Sequence, residues 1–179
     1  MEEELPDTSE KNFRVTIMQG IPKGDKLDFI IEKSVEVGAS EIVPLKLMRS
    51  IAKISDKDKD KKLARFLKIS KSAAQQSHGL FIPNITEPKT LKQIDFSEYD
   101  LKIVCYENEE KTSLKQVLNE HKNPKNIAVV IGPEGGIAPE EIEFLTKSGF
   151  YSASLGKKIL RCETAGIYAT ANINYHYES

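Results

Sequence analysis

Apolar positions along this chain alternate between the spacing of a β-strand and the spacing of an α-helix. Strict alternation marks residues 13–19 as a strand, and short apolar runs of strand length follow at 41–45, 101–106, 127–131 and 152–155. Between them, apolar residues recur every three or four positions and predict helices that begin at Asp25, span 57–77, follow Thr112 or Ser113, begin at Pro139 and span 164–175. Strands that alternate with helices predict an α/β domain with a mostly parallel sheet flanked by helices.

One of these strands indicates where a ligand binds. Residues 127–131 read Ile-Ala-Val-Val-Ile, an unbroken apolar run that suits a parallel strand buried on both faces. In open α/β sheets, ligands lie beyond the carboxyl ends of the strands. The chemistry of this chain is therefore expected in the loops that follow strands, and three of these loops have an unusual composition.

The first loop, Gly132–Gly136, directly follows the buried strand and reads Gly-Pro-Glu-Gly-Gly. Its three glycines allow positive φ angles and a close approach of the backbone to a ligand, while Pro133 stiffens the entry. Such a loop suits the polar edge of a nucleoside, and a tight strand-to-helix turn explains the same glycines equally well. Because no Gly-Lys-Ser or Gly-Lys-Thr sequence is present in it, ATP hydrolysis is disfavoured.

The second loop, Leu155–Ala165, follows the last predicted strand and leads into the last helix. Gly156 permits a sharp bend, and the apolar pair at 159–160 is expected to line a pocket or to fill the core. Arg161 and Glu163 place a guanidinium and a carboxylate at the start of the helix, which suits anion contact or proton transfer. Taken singly, these two residues are more typical of a helix cap and a surface arginine.

The third loop, Tyr106–Glu109, ends another predicted strand and contains two acidic residues. Its position after a strand is suited to a polar wall of the same cleft. A plain acidic surface loop is the simpler interpretation of its composition.

The overall composition excludes several classes of protein and of binding site. A chain of 179 residues fits one domain, and 39% apolar with 30% charged residues is typical of a globular protein. No apolar run approaches the roughly 20 residues of a membrane-spanning helix, so no membrane partner is expected. The acidic start lacks the apolar core of a signal peptide, and two distant cysteines predict neither a zinc site nor a disulfide. We therefore expect a protein of the reducing cytoplasm that holds no metal.

Charge is distributed unevenly, although the net charge is only −1. Residues 1–10 carry a net charge of −5, whereas residues 46–71 contain ten basic and three acidic residues, a net charge of +7. The basic segment is suited to a polyanion such as a nucleic acid. On charge alone, a solvated lysine-rich helix face accounts for it slightly better.

Taken together, motifs spread from Phe13 to the C-terminus resemble one known family. They are Ile131–Gly136, Pro139–Ile142, Leu155–Ala165, Lys23–Lys26, Glu32–Ala39, Pro44 and Pro83–Ile85. The set is similar to the RsmE family of the SPOUT superfamily, whose members methylate N3 of a uridine in small-subunit (16S) ribosomal RNA. Because several motifs keep the spacing of the family over this length, chance agreement is improbable.

The resemblance implies a SPOUT-type methyltransferase domain over 13–179 with a deep C-terminal trefoil knot, preceded by an acidic tail or linker remnant at 1–12. It implies a homodimer with the active site near the subunit interface. It also implies that the cofactor S-adenosylmethionine (SAM) is held between the first two loops, by Ile131, Gly132, Pro133, Glu134, Gly135, Leu155, Gly156, Ile159, Leu160, Thr164 and Ala165.

The expected reaction assigns catalytic roles to two residues of the second loop. N3 of neutral uridine carries a proton, and Glu163 is the candidate for removing it, with Glu134 as a close alternative. Arg161 is suited to stabilise the negative charge that develops on the uracil oxygens, or to clamp a phosphate. The target uridine has to be unpaired or flipped out, because N3 lies on the Watson–Crick edge.

Departures from the family pattern support a second hypothesis. The family usually has a separate N-terminal RNA-binding domain of PUA type, which the residues before Phe13 are too few to form. Gln75 and Gly79 stand where the family has glutamate and arginine, and Cys162 replaces its usual threonine. The alternative is therefore a catalytically impaired, truncated relative that serves as an RNA- or ribosome-binding module. A SPOUT methyltransferase of transfer RNA fits the 159–165 motif less well.

Overall fold

The structure is a computed structural model that describes residues 12–52, 54–55 and 57–178. The strands of this part of the chain are β1 (Arg14–Gly20), β2 (Glu41–Leu45), β3 (Asn84–Ile85), β4 (Leu101–Cys105), β5 (Asn126–Ile131) and β6 (Tyr151–Ala153). The α-helices are α1 (Lys26–Glu36), α2 (Lys59–Gln76), α3 (Leu114–Glu120), α4 (Pro139–Lys147) and α5 (Cys162–Tyr177). Two short 3-10 turns, Leu91–Gln93 and Phe96–Glu98, lie between β3 and β4.

The strands form a single parallel sheet in the order β3-β2-β1-β5-β4-β6. This confirms the predicted α/β fold with a parallel sheet flanked by helices. Because all strands point the same way, the loops that follow them meet at one edge, which we call the carboxyl edge. The chain moves from β1 to β2 on one side, while β5 lies on the other side of β1. The crevice between β1 and β5 is therefore the point where ligands are expected in such sheets.

Burial on both faces of β5 confirms the interpretation of its apolar run. Ile127, Val129 and Ile131 face the core that contains residues of α1, α2, α3 and α5. Ala128 and Val130 face the core on the opposite side, which contains residues of α4. A strand covered on both faces has no position for a polar side chain, which explains why the run is apolar throughout.

The spacing of apolar and small residues in the sequence predicts an inner face of α2 formed by Leu63, Phe66, Leu67, Ser70, Ala73 and Ala74, and the exposed Leu67 contradicts this prediction. The buried residues of this helix are Phe66, Ser70, Ala73 and Ala74, and the Leu67 residue is 39% exposed. Leu67 lies only about 20° around the helix from the buried Ala74, at the margin of the stripe that contacts α1 and β3. The prediction was wrong because, at the margin of a stripe, the neighbouring elements and not the 3.6-residue period decide whether a side chain is covered.

Other differences concern the ends of the predicted elements. The two-residue strand β3 was not predicted, since two residues cannot display a period. Ser113, rather than Thr112, caps α3, because its hydroxyl accepts a hydrogen bond from the backbone N–H of Gln116 at 3.2 Å. The acidic segment predicted at 1–12 lies outside the described residues except for Asn12. Among the helices that the structure describes, none combines the length and the apolar character needed to cross a bilayer.

Candidate functional site

A cavity of about 420 Å³ opens at the carboxyl edge, between the loop that follows β5 and the loop that follows β6. Its size falls in the range of roughly 300 to 1,000 Å³ that is usual for small-molecule sites. Eleven of the predicted site residues line it: Ile131, Gly132, Pro133, Glu134, Leu155, Gly156, Ile159, Leu160, Arg161, Glu163 and Ala165. Tertiary structure thus brings together two loops that lie about two dozen residues apart in the sequence.

Two predicted residues lie outside the lining. Gly135 points away from the cavity, and a Cβ placed on it would lie 3.2 Å from the Cβ of Arg49. Thr164 is exposed on the outer side of α5. The cavity has further lining residues that were not among the predicted cofactor-binding or catalytic residues: Lys26, Cys105, Tyr106, Glu107, Gly136, Ser154, Lys158 and Cys162.

The β4 exit supplies one wall of this cavity. Tyr106 and Glu107 both line it, so the third loop forms a polar wall of the cavity and is not a remote acidic surface loop. Gly136 has a φ of +72°, and a Cβ at this position would overlap the Glu107 carboxylate. Glycine at 136 therefore allows both the left-handed backbone and the close approach of the acidic side chain. The position of Glu107 after a strand was the only sequence signal for its role.

The glycine loop rests on the end of β1. A Cβ on Gly20 would lie 2.6 Å from Cδ and 2.7 Å from the backbone nitrogen of Pro133, closer than real Cβ atoms come. The buried Gln19 side chain donates a hydrogen bond from Nε2 to the carbonyl oxygen of Gly132 at 3.3 Å. These contacts fix the start of the glycine loop, where Gly132 and Pro133 form one wall of the cavity, which we call its floor.

Lys26 connects three separate segments at the mouth of the cavity. Its Nζ lies 2.9 Å from Oε1 of Glu134 and 3.8 Å from Oε2 of Glu163. The Glu134 carboxylate also accepts a hydrogen bond from the backbone N–H of Lys23 at 3.0 Å. The start of α1 is thereby tied both to the glycine loop and to the start of α5. Because several groups donate hydrogen bonds to the Glu134 carboxylate, this residue is suited to hold the glycine loop in place.

The electrostatic surroundings keep both carboxylates ionised. Burial raises the pKa of Glu134, but the hydrogen bonds from Lys26 and from the backbone outweigh it and hold the pKa below its usual value. For Glu163, a backbone hydrogen bond at the helix start, the Cys162 thiol and the charge of Lys26 lower the pKa despite partial burial. The pKa of Lys26 is raised, mainly by its hydrogen bond to Glu134. At neutral pH the mouth of the cavity therefore carries a fixed cation between two anions.

Two thiols line the same cavity. Burial raises the pKa of Cys105 to about 12. Burial and the neighbouring Glu163 carboxylate raise the pKa of Cys162 to about 12 as well. The Cys162 thiol donates to Oε2 of Glu163 at 3.2 Å, so it orients that carboxylate as a protonated donor. Both sulfurs stay protonated at neutral pH and are poor nucleophiles. In the described part of the chain, no three His, Cys, Asp or Glu side chains form a group suited to a metal ion.

The basic segment 46–71 divides between a turn at the carboxyl edge and the outer face of α2. On α2, Lys61, Lys62, Lys68 and Lys71 are exposed. Arg65 pairs with Asp28 of α1, and Lys59 lies 2.6 Å from Glu87. Ion pairs within the chain thus reduce the net charge of this face, while the four exposed lysines leave it basic.

Comparison with known proteins identifies the family. A model of the RNA methyltransferase domain matches residues 9–174. Ribosomal RNA small subunit methyltransferase E of Bacillus subtilis is 35% identical over 178 residues, covering 96% of this chain and 70% of the relative. The enzyme of the same name from Mesomycoplasma hyopneumoniae is 36% identical over 168 residues, covering 93% of this chain and 71% of the relative.

A solved structure agrees with these sequence relatives. Ribosomal RNA small subunit methyltransferase E of Neisseria gonorrhoeae, determined bound to S-adenosyl methionine, superimposes with a TM-score of 0.82 and 30% identity. The match covers 96% of this chain and 70% of the Neisseria chain. The family model spans almost the whole chain, and the sequence relatives and this structure cover most of it at 30% identity or more, so the resemblance seen in the motifs is confirmed. The chain belongs to the ribosomal RNA small subunit methyltransferase E family.

Proposed function

We propose that this protein transfers a methyl group from SAM to N3 of a uridine in small-subunit (16S) ribosomal RNA. The observation that carries the proposal is the single cavity between the two strand-exit loops, with Arg161 and Glu163 both in its lining. SAM fits this cavity, since its volume is adequate and its lining combines apolar side chains, such as Ile131 and Leu160, with the carboxylate of Glu107. The bound SAM of the Neisseria relative supports the same choice of cofactor.

The chain's own residues have distinct tasks in this reaction. When bound, SAM supplies a methyl group that its sulfonium makes electrophilic. Glu163, ionised and oriented by Cys162, takes the N3 proton as N3 gains the methyl group. Arg161 stabilises the charge that develops on the uracil oxygens. Glu163 is favoured over Glu134 because the Glu134 carboxylate is held by Lys26 and by the Lys23 backbone.

The positions of Gln75 and Gly79, two of the departures from the family pattern, favour catalysis over the alternative of a binding module. Gln75 and Gly79 lie at and just beyond the end of α2, which leads into β3. In a parallel sheet this end of the helix lies at the edge opposite the carboxyl edge. The substitutions at 75 and 79 thus leave the cavity of their own subunit untouched, whereas the third, Cys162, lies in its lining and donates a hydrogen bond to Glu163.

Methyl transfer tests the proposal directly. We expect SAM labelled in its methyl group to modify unmodified small-subunit ribosomal RNA and to give N3-methyluridine after digestion to nucleosides. RNA already carrying the modification serves as the control and should accept no label. SAM binding by calorimetry without any transfer would instead favour the binding module, and absence of SAM binding would contradict the proposal.

The outer face of α5 supports a homodimer. Two large aromatic residues of this helix, Tyr168 and Tyr175, are exposed, and Ile159 in the preceding loop is 85% exposed. Large apolar side chains left exposed together are typical of interaction surfaces. Because α5 begins in the cavity lining, a second subunit seated on its outer face would complete the active site.

A charge on this face should separate the subunits. We expect Tyr168→Glu to shift the sedimentation of the protein from dimer to monomer, because a carboxylate would be buried without a partner. Tyr151→Glu is the matched control, since Tyr151 has the same 44% exposure but lies on β6 against His121. Dissociation in both variants, or in neither, would argue against α5 as the interface.

The course of the chain after β6 supports a knotted C-terminus. Tyr106 and Ser113 mark the two ends of the β4–α3 loop, and both pair with the end of β6. The chain then returns from the edge strand to place α5 against α1, β1 and β5. Threading of the Leu155–Arg161 segment through the β4–α3 loop satisfies both features. An experimental backbone trace that passes outside this loop would contradict the knot.

The remaining expectations concern the extent and the location of the protein. Residues 13–179 are proposed to act as one methyltransferase domain after the acidic segment 1–12. The proposed substrate places the protein in the cytoplasm, where small ribosomal subunits are made. Cell fractionation that finds the protein away from ribosomal particles and cytosol would contradict this location.

A further inference from the structure

A buried carboxylate fixes a turn of the basic segment beside the cavity. Glu141 in the first turn of α4 is only 8% exposed. Its Oε1 accepts a hydrogen bond from the backbone N–H of Met48 at 2.8 Å, and its Oε2 accepts one from Ala138 at 3.1 Å. The turn at 47–50 is closed by a bond from Ser50 N–H to the Leu47 carbonyl at 3.0 Å. The turn is therefore held rigidly against the start of α4.

Arg49 at the tip of this turn contacts the glycine loop. Its Nη1 donates to the carbonyl oxygen of Gly135 at 3.1 Å. A Cβ on Gly135 would lie 3.2 Å from both Cβ and the carbonyl oxygen of Arg49, so the absence of a side chain at 135 makes room for the arginine. The neighbours of Gly135 on both sides, Glu134 and Gly136, line the cavity. Arg49 is consequently one residue removed from the expected cofactor site.

The guanidinium of Arg49 has more donors than this contact uses. It carries five N–H groups, of which the Gly135 carbonyl takes one, and the residue is exposed. Lys46 at the entry to the turn is exposed as well, and Met48 and Ile51 present apolar side chains beside it. A planar cation fixed at one nitrogen is well placed to bind a phosphate with the others.

We propose that Arg49 binds a phosphate of the target ribosomal RNA strand next to the uridine that enters the cavity. This inference rests on the proposed function. A nucleobase that reaches the cavity leaves its flanking phosphates outside it, and Arg49 lies outside the lining, against the outer side of the glycine loop, on a turn that Glu141 holds in place. Because the turn is rigid, RNA binding does not have to order the guanidinium, and less conformational entropy is lost. Among the basic residues of 46–71 that the structure describes, Arg49 is the one with a hydrogen bond to the glycine loop.

The test compares Arg49→Met, Arg49→Lys and Arg14→Met. The Arg49→Met side chain keeps the apolar stem against Gly135 but loses the charge, while Arg49→Lys keeps the charge without the planar fork. Arg14 is the matched control, because it is exposed at the start of β1, at the opposite edge of the sheet. The measurements are SAM affinity of the RNA-free protein by calorimetry and affinity for unmodified small-subunit ribosomal RNA at several KCl concentrations.

We expect Arg49→Met to weaken RNA binding about tenfold, because a charge-assisted hydrogen bond to phosphate is lost. The slope of log affinity against log salt should fall in magnitude by about 0.7, the value for one phosphate contact on a single strand. Arg49→Lys should keep the wild-type slope, and Arg14→Met should match wild type in both respects. SAM affinity should be the same in all four proteins.

Two results would overturn the inference. If the salt slope of Arg49→Met equals that of the wild type, Arg49 does not contact a phosphate. If Arg49→Met loses SAM affinity in the absence of RNA, the role of Arg49 is purely structural, through its contact with Gly135. Failure of the wild-type protein to bind SAM or ribosomal RNA would contradict the proposed function instead. The two failures are distinguished because the second affects all variants equally.

Discussion

A Gly20→Ala substitution is expected to weaken SAM binding by more than tenfold and to destabilise the fold by about 1–3 kcal/mol, the usual cost of overpacking a tight contact. The new methyl group would meet the backbone nitrogen of Pro133 at 2.7 Å and its Cδ at 2.6 Å. Neither atom belongs to a flexible side chain, so β1 and the glycine loop have to separate. That movement opens the floor of the cavity.

Calorimetric titration with SAM and thermal unfolding measure the two effects of this substitution. Gly79→Ala is the matched control, because its Cβ would lie 3.4 Å from its nearest neighbour, the Ala74 carbonyl, and the site is at the other edge of the sheet. We expect Gly79→Ala to bind SAM as the wild type does. Wild-type SAM affinity in Gly20→Ala would separate the glycine loop from the cofactor site and would contradict the site proposed here.

A Glu163→Gln substitution is expected to lower kcat for methyl transfer by roughly 10²- to 10⁴-fold, the usual contribution of a positioned proton acceptor. The amide keeps the size of the side chain and an oxygen for the Cys162 thiol, but it loses the charge that accepts the N3 proton. SAM affinity should change little. Initial rates with saturating SAM and unmodified small-subunit ribosomal RNA measure the effect.

Two matched variants make this second test specific. Glu140→Gln removes an exposed carboxylate from the first turn of α4 and should leave kcat unchanged. Glu134→Gln removes the partner of Lys26 and should weaken SAM binding more than it lowers kcat, because the loop loses its tie to α1. A larger loss of kcat in Glu134→Gln than in Glu163→Gln would assign the proton transfer to Glu134.

The assignment of Glu163 as the proton acceptor determines in which direction the activity changes with pH. Because the pKa of Glu163 is held below its ordinary value of 4.5, chiefly by the backbone hydrogen bond at the helix start, the carboxylate stays ionised at pH 6. Protonation of Glu163 should therefore reduce activity only when the pH falls through that lowered pKa. A loss of activity between pH 8 and pH 6 would come from another group, such as N3 of the uridine itself.

The local pattern of apolar and polar residues was sufficient to predict most helices and strands, because their boundaries depend on neighbours in the sequence. The 3.6-residue period of the sequence predicts an inner stripe of α1 at Leu27, Ile30, Ile31, Ser34 and Val35, and these are its buried residues. The error at Leu67 arose where the width of the buried face depended on the neighbouring helix. By sequence, an acid in the first turn of α4 such as Glu141 suits the helix dipole, and only the packing of the Met48 turn against α4 shows that this carboxylate is buried and also accepts a hydrogen bond from the Met48 backbone.

The sequence by itself determined the order of strands and helices, the loops that follow strands, and the family to which their motifs belong. These properties follow from periodicity and from residue types at fixed spacing, which are local. Only the tertiary structure decided that Lys26 bridges Glu134 and Glu163, that Glu107 fills the space above Gly136, and that Gly135 faces Arg49 instead of the cavity. Such contacts join segments far apart in the chain, and their geometry depends on how the parallel strands align at the carboxyl edge.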